Sequence, residues 1–141
     1  MKLKPLKPKQ HKKAAKIFWV LFPFFGFWLV WRFFKFLLGR HRFYSIKNRR
    51  RPKKLLGLAA FTTLIFFKRK WFYLKYFAIA PDSQGQGVGS QTLNKIEAKA
   101  RRQKHDYFLL LSSPWRTRAH KFYFKKGFKR WLGFIFFKKL Q

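Results

Sequence analysis

Ala78-Ile79-Ala80-Pro81-Asp82-Ser83-Gln84-Gly85-Gln86-Gly87-Val88-Gly89-Ser90 is the stretch from which the rest of the chain is best read. Ahead of it, Trp71 to Ala80 is an aromatic-rich apolar run that predicts a strand, and Pro81 ends it because proline brings no N–H to a ladder. Behind it, Val88, Leu93, Ile96 and Ala100 fall on one stripe of a helix running to about Arg102. A strand therefore feeds a glycine-rich loop that opens a helix. Glycines at 85, 87 and 89 let the backbone turn tightly and let an anion approach with no Cβ in the way. The first amides of a helix lack a carbonyl one turn back, and the helix dipole favours negative charge there. This is the build of a phosphate cradle. It is not a P-loop, since no Gly-Lys-Ser/Thr follows, and it departs from the dinucleotide fingerprint, whose third glycine lies three residues after the second.

Working outward, Leu55 to Phe67 is a second long apolar run, joined to Trp71–Ala80 through the charged tip Lys68-Arg69-Lys70. Two strands with so short a link pair antiparallel. Phe43 to Lys47 reads as a short strand and Asn48 to Pro52 as a basic turn. On the other side, Tyr107 to Leu111 is a compact buried-type strand and Pro114 lies in a loop. Thr117 to Lys126 is a second helix closed by Gly127, which suits the left-handed position after a helix end. Phe128 to Lys138 reads as a final strand or hairpin. Helices, antiparallel strands, then loop–helix–strand–helix–strand make a mixed α/β (α+β) fold.

The composition bounds the chemistry. The chain has 141 residues, one domain's worth, with 48% hydrophobic and 23% aromatic residues, enough to build a core. It has no cysteine, which excludes disulfides, thiolate nucleophiles and Cys-based zinc sites. Against 35 Lys and Arg stand only Asp82, Glu97 and Asp106, for a formal net charge of +32. Polyanions are therefore the expected partners: nucleic acid, anionic lipid or a phosphorylated cofactor. His11, His41, His105 and His120 show no metal-ligand spacing, so no metal is expected.

The N-terminal part is basic through Lys16 and then runs apolar from Ile17 to Trp31. That run has 15 residues with Pro23 and Gly26 inside it, short of the roughly 20 needed to span a bilayer. No small-x-small cleavage site follows before Gly39-Arg40-His41. Two short helices on either side of Pro23, packed on a sheet, are expected. Membrane contact through 17–38 is the competing reading.

Two motifs in order resemble one family. Gln84-Gly85-Gln86-Gly87-Val88-Gly89 is similar to the Q/R-x-x-G-x-G/A acetyl-CoA motif of GNAT-type N-acetyltransferases. Ala119-His120-Lys121-Phe122-Tyr123-Phe124-Lys125-Lys126-Gly127-Phe128 resembles that family's later A-x-x-F/L-Y-x-x-x-G-F signature. The resemblance implies a single domain over 1–141, with 42–141 the better-matched core and 1–41 supplying the first strand and two helices. It implies a mostly antiparallel sheet flanked by helices and splayed between strands four and five.

The resemblance further implies acetyl-CoA as co-substrate and an amine as acceptor. Amides from Gln84, Gly85, Gln86, Gly87, Val88, Gly89 and Ser90 would hold the CoA pyrophosphate. The Phe77, Ala78, Ile79 and Ala80 main chain would pair with the pantetheine arm, and amides near Ile79 would polarise the thioester carbonyl. Tyr123 would be the general acid for the leaving sulfur. The family's strand-four carboxylate is absent: Lys75 occupies that neighbourhood, leaving His120, a water chain or an already neutral amine as the base. Two other readings stand beside this one: a GNAT-fold protein impaired in catalysis, and a basic aromatic-rich protein on membranes or nucleic acid. A cytoplasmic protein, peripherally attached through 17–38 in the third case, is expected.

Overall fold

Pro23 and Gly26 interrupt the N-terminal apolar run as its sequence predicts. In a computed structural model, which describes residues 1–140, α1 (His11–Phe18) passes into a 3₁₀ turn at Trp19–Leu21, and α2 (Phe27–Leu38) begins after Gly26. Gln141 lies outside the described residues. The strands are β1 (Lys2–Pro5), β2 (Phe43–Lys47), β3 (Gly57–Phe66), β4 (Arg69–Ile79), β5 (Tyr107–Leu111), β6 (Lys129–Trp131) and β7 (Ile135–Lys139). Two further helices are α3 (Val88–Arg102) and α4 (Thr117–Lys125). The strand order is β1-β2-β3-β4-β5-β7-β6, mostly antiparallel, with β4 and β5 the parallel pair. Parallel neighbours need a crossover, and α3 supplies it. The chain divides into two compact units, residues 1–60 with 76–95 and residues 61–75 with 96–141.

In the first unit β1 and β2 pair with Leu3 opposite Ile46, and β2 and β3 with Phe43 opposite Ala60. Ala14, Ala15, Ile17 and Phe18 of α1 and Val30, Phe34 and Leu37 of α2 fill one core with Phe43, Leu58 and Ala78. Phe18 is its hub, its ring centroid 5.0 Å from Phe34, 6.1 Å from Phe43 and 5.2 Å from Tyr76. A buried phenylalanine contributes about 1.5–3 kcal/mol, and each well-placed aromatic pair roughly another 0.5–1.5 kcal/mol.

In the second unit Phe72 and Leu74 of β4 lie beside Phe108 and Leu110 of β5, while β7 pairs antiparallel with β5, Leu109 opposite Phe137. The β4–β5 register ends at Leu74 and Leu110, and β4 continues to Ile79. His105 is buried and pins three segments. Its Nε2 stands 2.9 Å from Thr63 Oγ1 and its Nδ1 3.0 Å from the Ala100 carbonyl. The tip between β3 and β4 falls at Phe67-Lys68 rather than at Lys68-Arg69-Lys70, with φ of +46° and +57° at its two residues. Phe72 and Leu74 must face the core, so the strand register, not the polarity of the tip, decides where the chain turns. The C-terminal stretch resolves as a hairpin, β6 and β7, turning at Leu132-Gly133.

Candidate functional site

The glycine-rich loop belongs to the first unit. After Ala80 the chain makes a short 3₁₀ turn at Pro81–Ser83 and reaches α3 at Val88. Gly85 and Gly87 sit at φ of +73° and +78°, where a side chain is strained. At Gly87 space is not the constraint, because an added Cβ meets nothing nearer than Gln91 Nε2 at 3.8 Å. The helix's first internal bond runs from the Gln91 N–H to the Gly87 carbonyl, 3.0 Å. The amides of Val88, Gly89 and Ser90 therefore have no intrahelical acceptor.

The polar side chains around those amides are turned to oxygen acceptors instead. The Gln84 side-chain amide donates to the Ile79 carbonyl at 3.1 Å and that of Gln86 to the Asp82 carbonyl at 2.8 Å. Ser83 Oγ donates to the Asp82 carboxylate at 3.0 Å, and Thr92 Oγ1 to the Val88 carbonyl at 2.7 Å. Gly85, Gln86 and Gly87 are exposed. The arrangement fits a diphosphate: donors at a helix N-terminus, with the Ile79, Asp82 and Val88 carbonyl oxygens beside them already engaged.

A segment that sequence reasoning did not single out braces this loop. Gly57 opens β3 so close to β4 that a Cβ there would stand 2.4 Å from the Ala78 carbonyl oxygen. The neighbouring Leu56 carbonyl accepts from the Ala80 N–H at 2.7 Å. Lys54 Nζ lies 3.0 Å from Asp82, and that hydrogen bond, with a second from Ser83, holds the Asp82 carboxyl below its ordinary range. The loop's one carboxylate is thus matched by a cation. The only local signal was a glycine after Leu55-Leu56, which by itself does not identify its neighbour.

Tyr123 and His120 belong to the second unit. They lie one turn apart on α4 and share a face, as their spacing predicts. Both rings pack on Phe136, at 5.3 Å for Tyr123 and 4.7 Å for His120. Tyr123 is only 3% exposed. Burial pushes its phenol above the ordinary tyrosine value, with the Arg116 charge pulling the other way. The group is therefore a neutral O–H at physiological pH. His120 Nε2 stands 3.0 Å from the Ser113 carbonyl and Nδ1 3.4 Å from Arg130. With Nε2–H donating to Ser113, the Nδ1 lone pair is turned to a guanidinium.

None of the three carboxylates lies on β4, and each is engaged where it stands. Glu97 is half-buried between Arg101 at 2.8 Å and Lys138 at 3.0 Å. Burial raises its carboxyl, but the hydrogen bonds from those two cations outweigh burial and leave it below its ordinary value. Asp106 accepts from the Lys70 N–H at 2.8 Å and lies 3.7 Å from Arg69. Among the described residues no three His, Asp or Glu side chains gather where they could hold a metal ion.

The family model described as "Acetyltransferase (GNAT) family" matches residues 12–128. Fold and sequence agree, and the chain belongs to the GNAT acetyltransferase family. It is similar in structure to an acetyltransferase from Thermus thermophilus, with a TM-score of 0.75 at 18% identity over 99% of this chain and 96% of that one. A GNAT acetyltransferase from Elizabethkingia anophelis with acetyl-CoA bound gives a TM-score of 0.67 at 16% identity, covering 99% and 97%. One from Brucella melitensis in complex with acetyl-CoA gives 0.66 at 14% identity, covering 99% and 88%. No curated protein matches the sequence.

Proposed function

We propose that this protein is an N-acetyltransferase that moves the acetyl group of acetyl-CoA directly onto a primary amine, with no covalent enzyme intermediate. The observation that carries it is the loop after β4. Two glycines at positive φ deliver the chain to a helix start whose first amides have no intrahelical acceptor, and the adjoining side chains are bonded to oxygen acceptors. Amides of 84–90 hold the diphosphate, and the main chain of Phe77–Ala80 aligns the pantetheine arm. Bound acetyl-CoA supplies the acetyl group as a thioester, and its complexes with the two GNAT relatives support that choice.

The chain's own chemistry is then proton handling. Tyr123, kept neutral by burial, gives its phenol proton to the departing sulfur as the C–S bond breaks. Water takes the proton from the attacking amine, since the three carboxylates are paired and the His120 Nδ1 faces Arg130. The strongly positive chain lowers the pKa of an incoming ammonium and so favours the free amine. For the same reason amino acids, peptides and anionic amines are better acceptors than polyamines. Thiol release from acetyl-CoA, followed across a panel of these amines, tests the proposal. Turnover lowered about 10²–10⁴-fold in Tyr123→Phe with acetyl-CoA binding retained is the expected result.

The missing β4 carboxylate specifically favours a second reading, a GNAT fold that binds acetyl-CoA without turning it over. Amine-dependent thiol release removes it.

A further inference from the structure

We infer that the exposed face of α2, with the turn before it, is an interfacial docking surface for an anionic lipid bilayer. α2 carries two apolar stripes where one would hold it in place. Val30, Phe34 and Leu37 are buried in the first unit's core, while Trp28, Leu29, Phe33 and Phe36 form an exposed stripe beside them, with Phe33 at its edge against Phe18. Trp28 is 67% exposed and Phe36 56%. The turn extends the patch: Trp19 Nε1–H donates to the Phe25 carbonyl at 2.6 Å, which holds the segment in place while Phe24 stands 76% exposed. An apolar patch of this kind marks an interaction surface.

Charge selects the occupant. No Asp or Glu precedes Asp82 in the sequence. The Arg32 guanidinium rides 4.9 Å over the Trp28 ring and that of Arg40 4.7 Å over Phe36, cations laid along aromatic rings as snorkelling side chains lie at a headgroup boundary. Lys12, Lys13 and Lys16 stand exposed on α1 of the same unit. A second copy on this face would set Arg32, Lys35 and Arg40 against their own likeness, and nucleic acid would leave Leu29 and Phe36 uncovered. Anionic lipid satisfies both the rings and the cations. With 12 residues α2 is about 18 Å long, against about 30 Å of hydrocarbon, so it lies in the interface. Among the described residues no helix is long and apolar enough to cross a membrane.

The test is flotation of the full chain with phosphatidylcholine vesicles containing about one-third phosphatidylserine, and with pure phosphatidylcholine, across a salt series. The expected result is retention on the anionic vesicles with blue-shifted tryptophan emission, quenched by lipids brominated in the upper acyl chain. Trp28→Ser with Phe36→Ser weakens retention about tenfold or more while the circular dichroism is unchanged. Phe24→Ser, outside the helix, weakens it independently of helix stability. Retention that salt abolishes but these variants leave intact overturns the inference in favour of bulk polycation adsorption. Concentration-dependent self-association lost in the variants, without vesicle binding, overturns it in favour of a second copy. The outcome is independent of acetyl transfer, because vesicle retention is read with no acetyl-CoA or amine present.

Discussion

The α-carbon of Gly57 and the carbonyl oxygen of Ala78 approach so closely that a single added carbon would sit 2.4 Å from that oxygen. Carbon and oxygen cannot share that distance, so one strand must move. Because Ala78 lies in the segment proposed to align the pantetheine arm, a packing constraint and a proposed binding surface share one piece of backbone.

Gly57→Ala is expected to destabilise the fold by about 1–3 kcal/mol through overpacking. It should also weaken acetyl-CoA binding as the end of β4 shifts. Chemical denaturation read beside calorimetry with acetyl-CoA checks both; an unchanged affinity in a folded variant separates the strand from the ligand.

Gly87→Ala meets only Gln91 Nε2, at an ordinary contact distance of 3.8 Å, so its cost is conformational, about 1–2 kcal/mol for a left-handed residue. Gly87→Asn, which tolerates that region better, should recover much of the stability and of the affinity for acetyl-CoA. Thermal melts with and without ligand measure the pair.

Tyr123→Phe should lower kcat by about 10²–10⁴-fold, the usual worth of a positioned acid, with acetyl-CoA affinity little changed. The pH dependence follows from the raised phenol pKa. The folded state holds the proton more tightly than the unfolded chain, so the associated stability is present below the unfolded value of about 10 and declines as pH rises through the higher folded value. Activity should keep its acid form to the same alkaline limit. Rate profiles and melts above pH 9 check the sign.

Glu97 gives the opposite slope. Its carboxyl is held low by Arg101 and Lys138, so its contribution is present above the unfolded value, roughly 4.3, and is lost as pH falls through the folded one. Glu97→Gln should cost about 1–2 kcal/mol at neutral pH and flatten that acid limb. Urea denaturation between pH 3 and 7 compares the two proteins.

Much of this architecture was legible where local pattern and tertiary need coincide. Phe43–Lys47, Val88–Arg102 and Tyr107–Leu111 form elements with the bounds their apolar spacing predicts. Pro23 divided the aromatic run into helices for a purely local reason. The placement of β7 between β5 and β6 was not legible, because Leu109 meets Phe137 only through a pairing distant in sequence. The tip at Phe67-Lys68 was misplaced because polarity suggested a turn that register overrode. At the candidate site the glycines and Tyr123 announced themselves through motif spacing. Lys54, Leu56 and Gly57 did not, since each acts on a residue more than twenty positions away: Asp82, Ala80 and Ala78.

Amide chemical shifts during titration with acetyl-CoA test most directly whether the loop grips the diphosphate. The account predicts that signals from Gly85 through Ser90 move together and saturate at one equivalent, and that Gly87→Ala weakens the response. Small shifts spread over the lysine and arginine surface, without saturation and without preference for that loop, would contradict it.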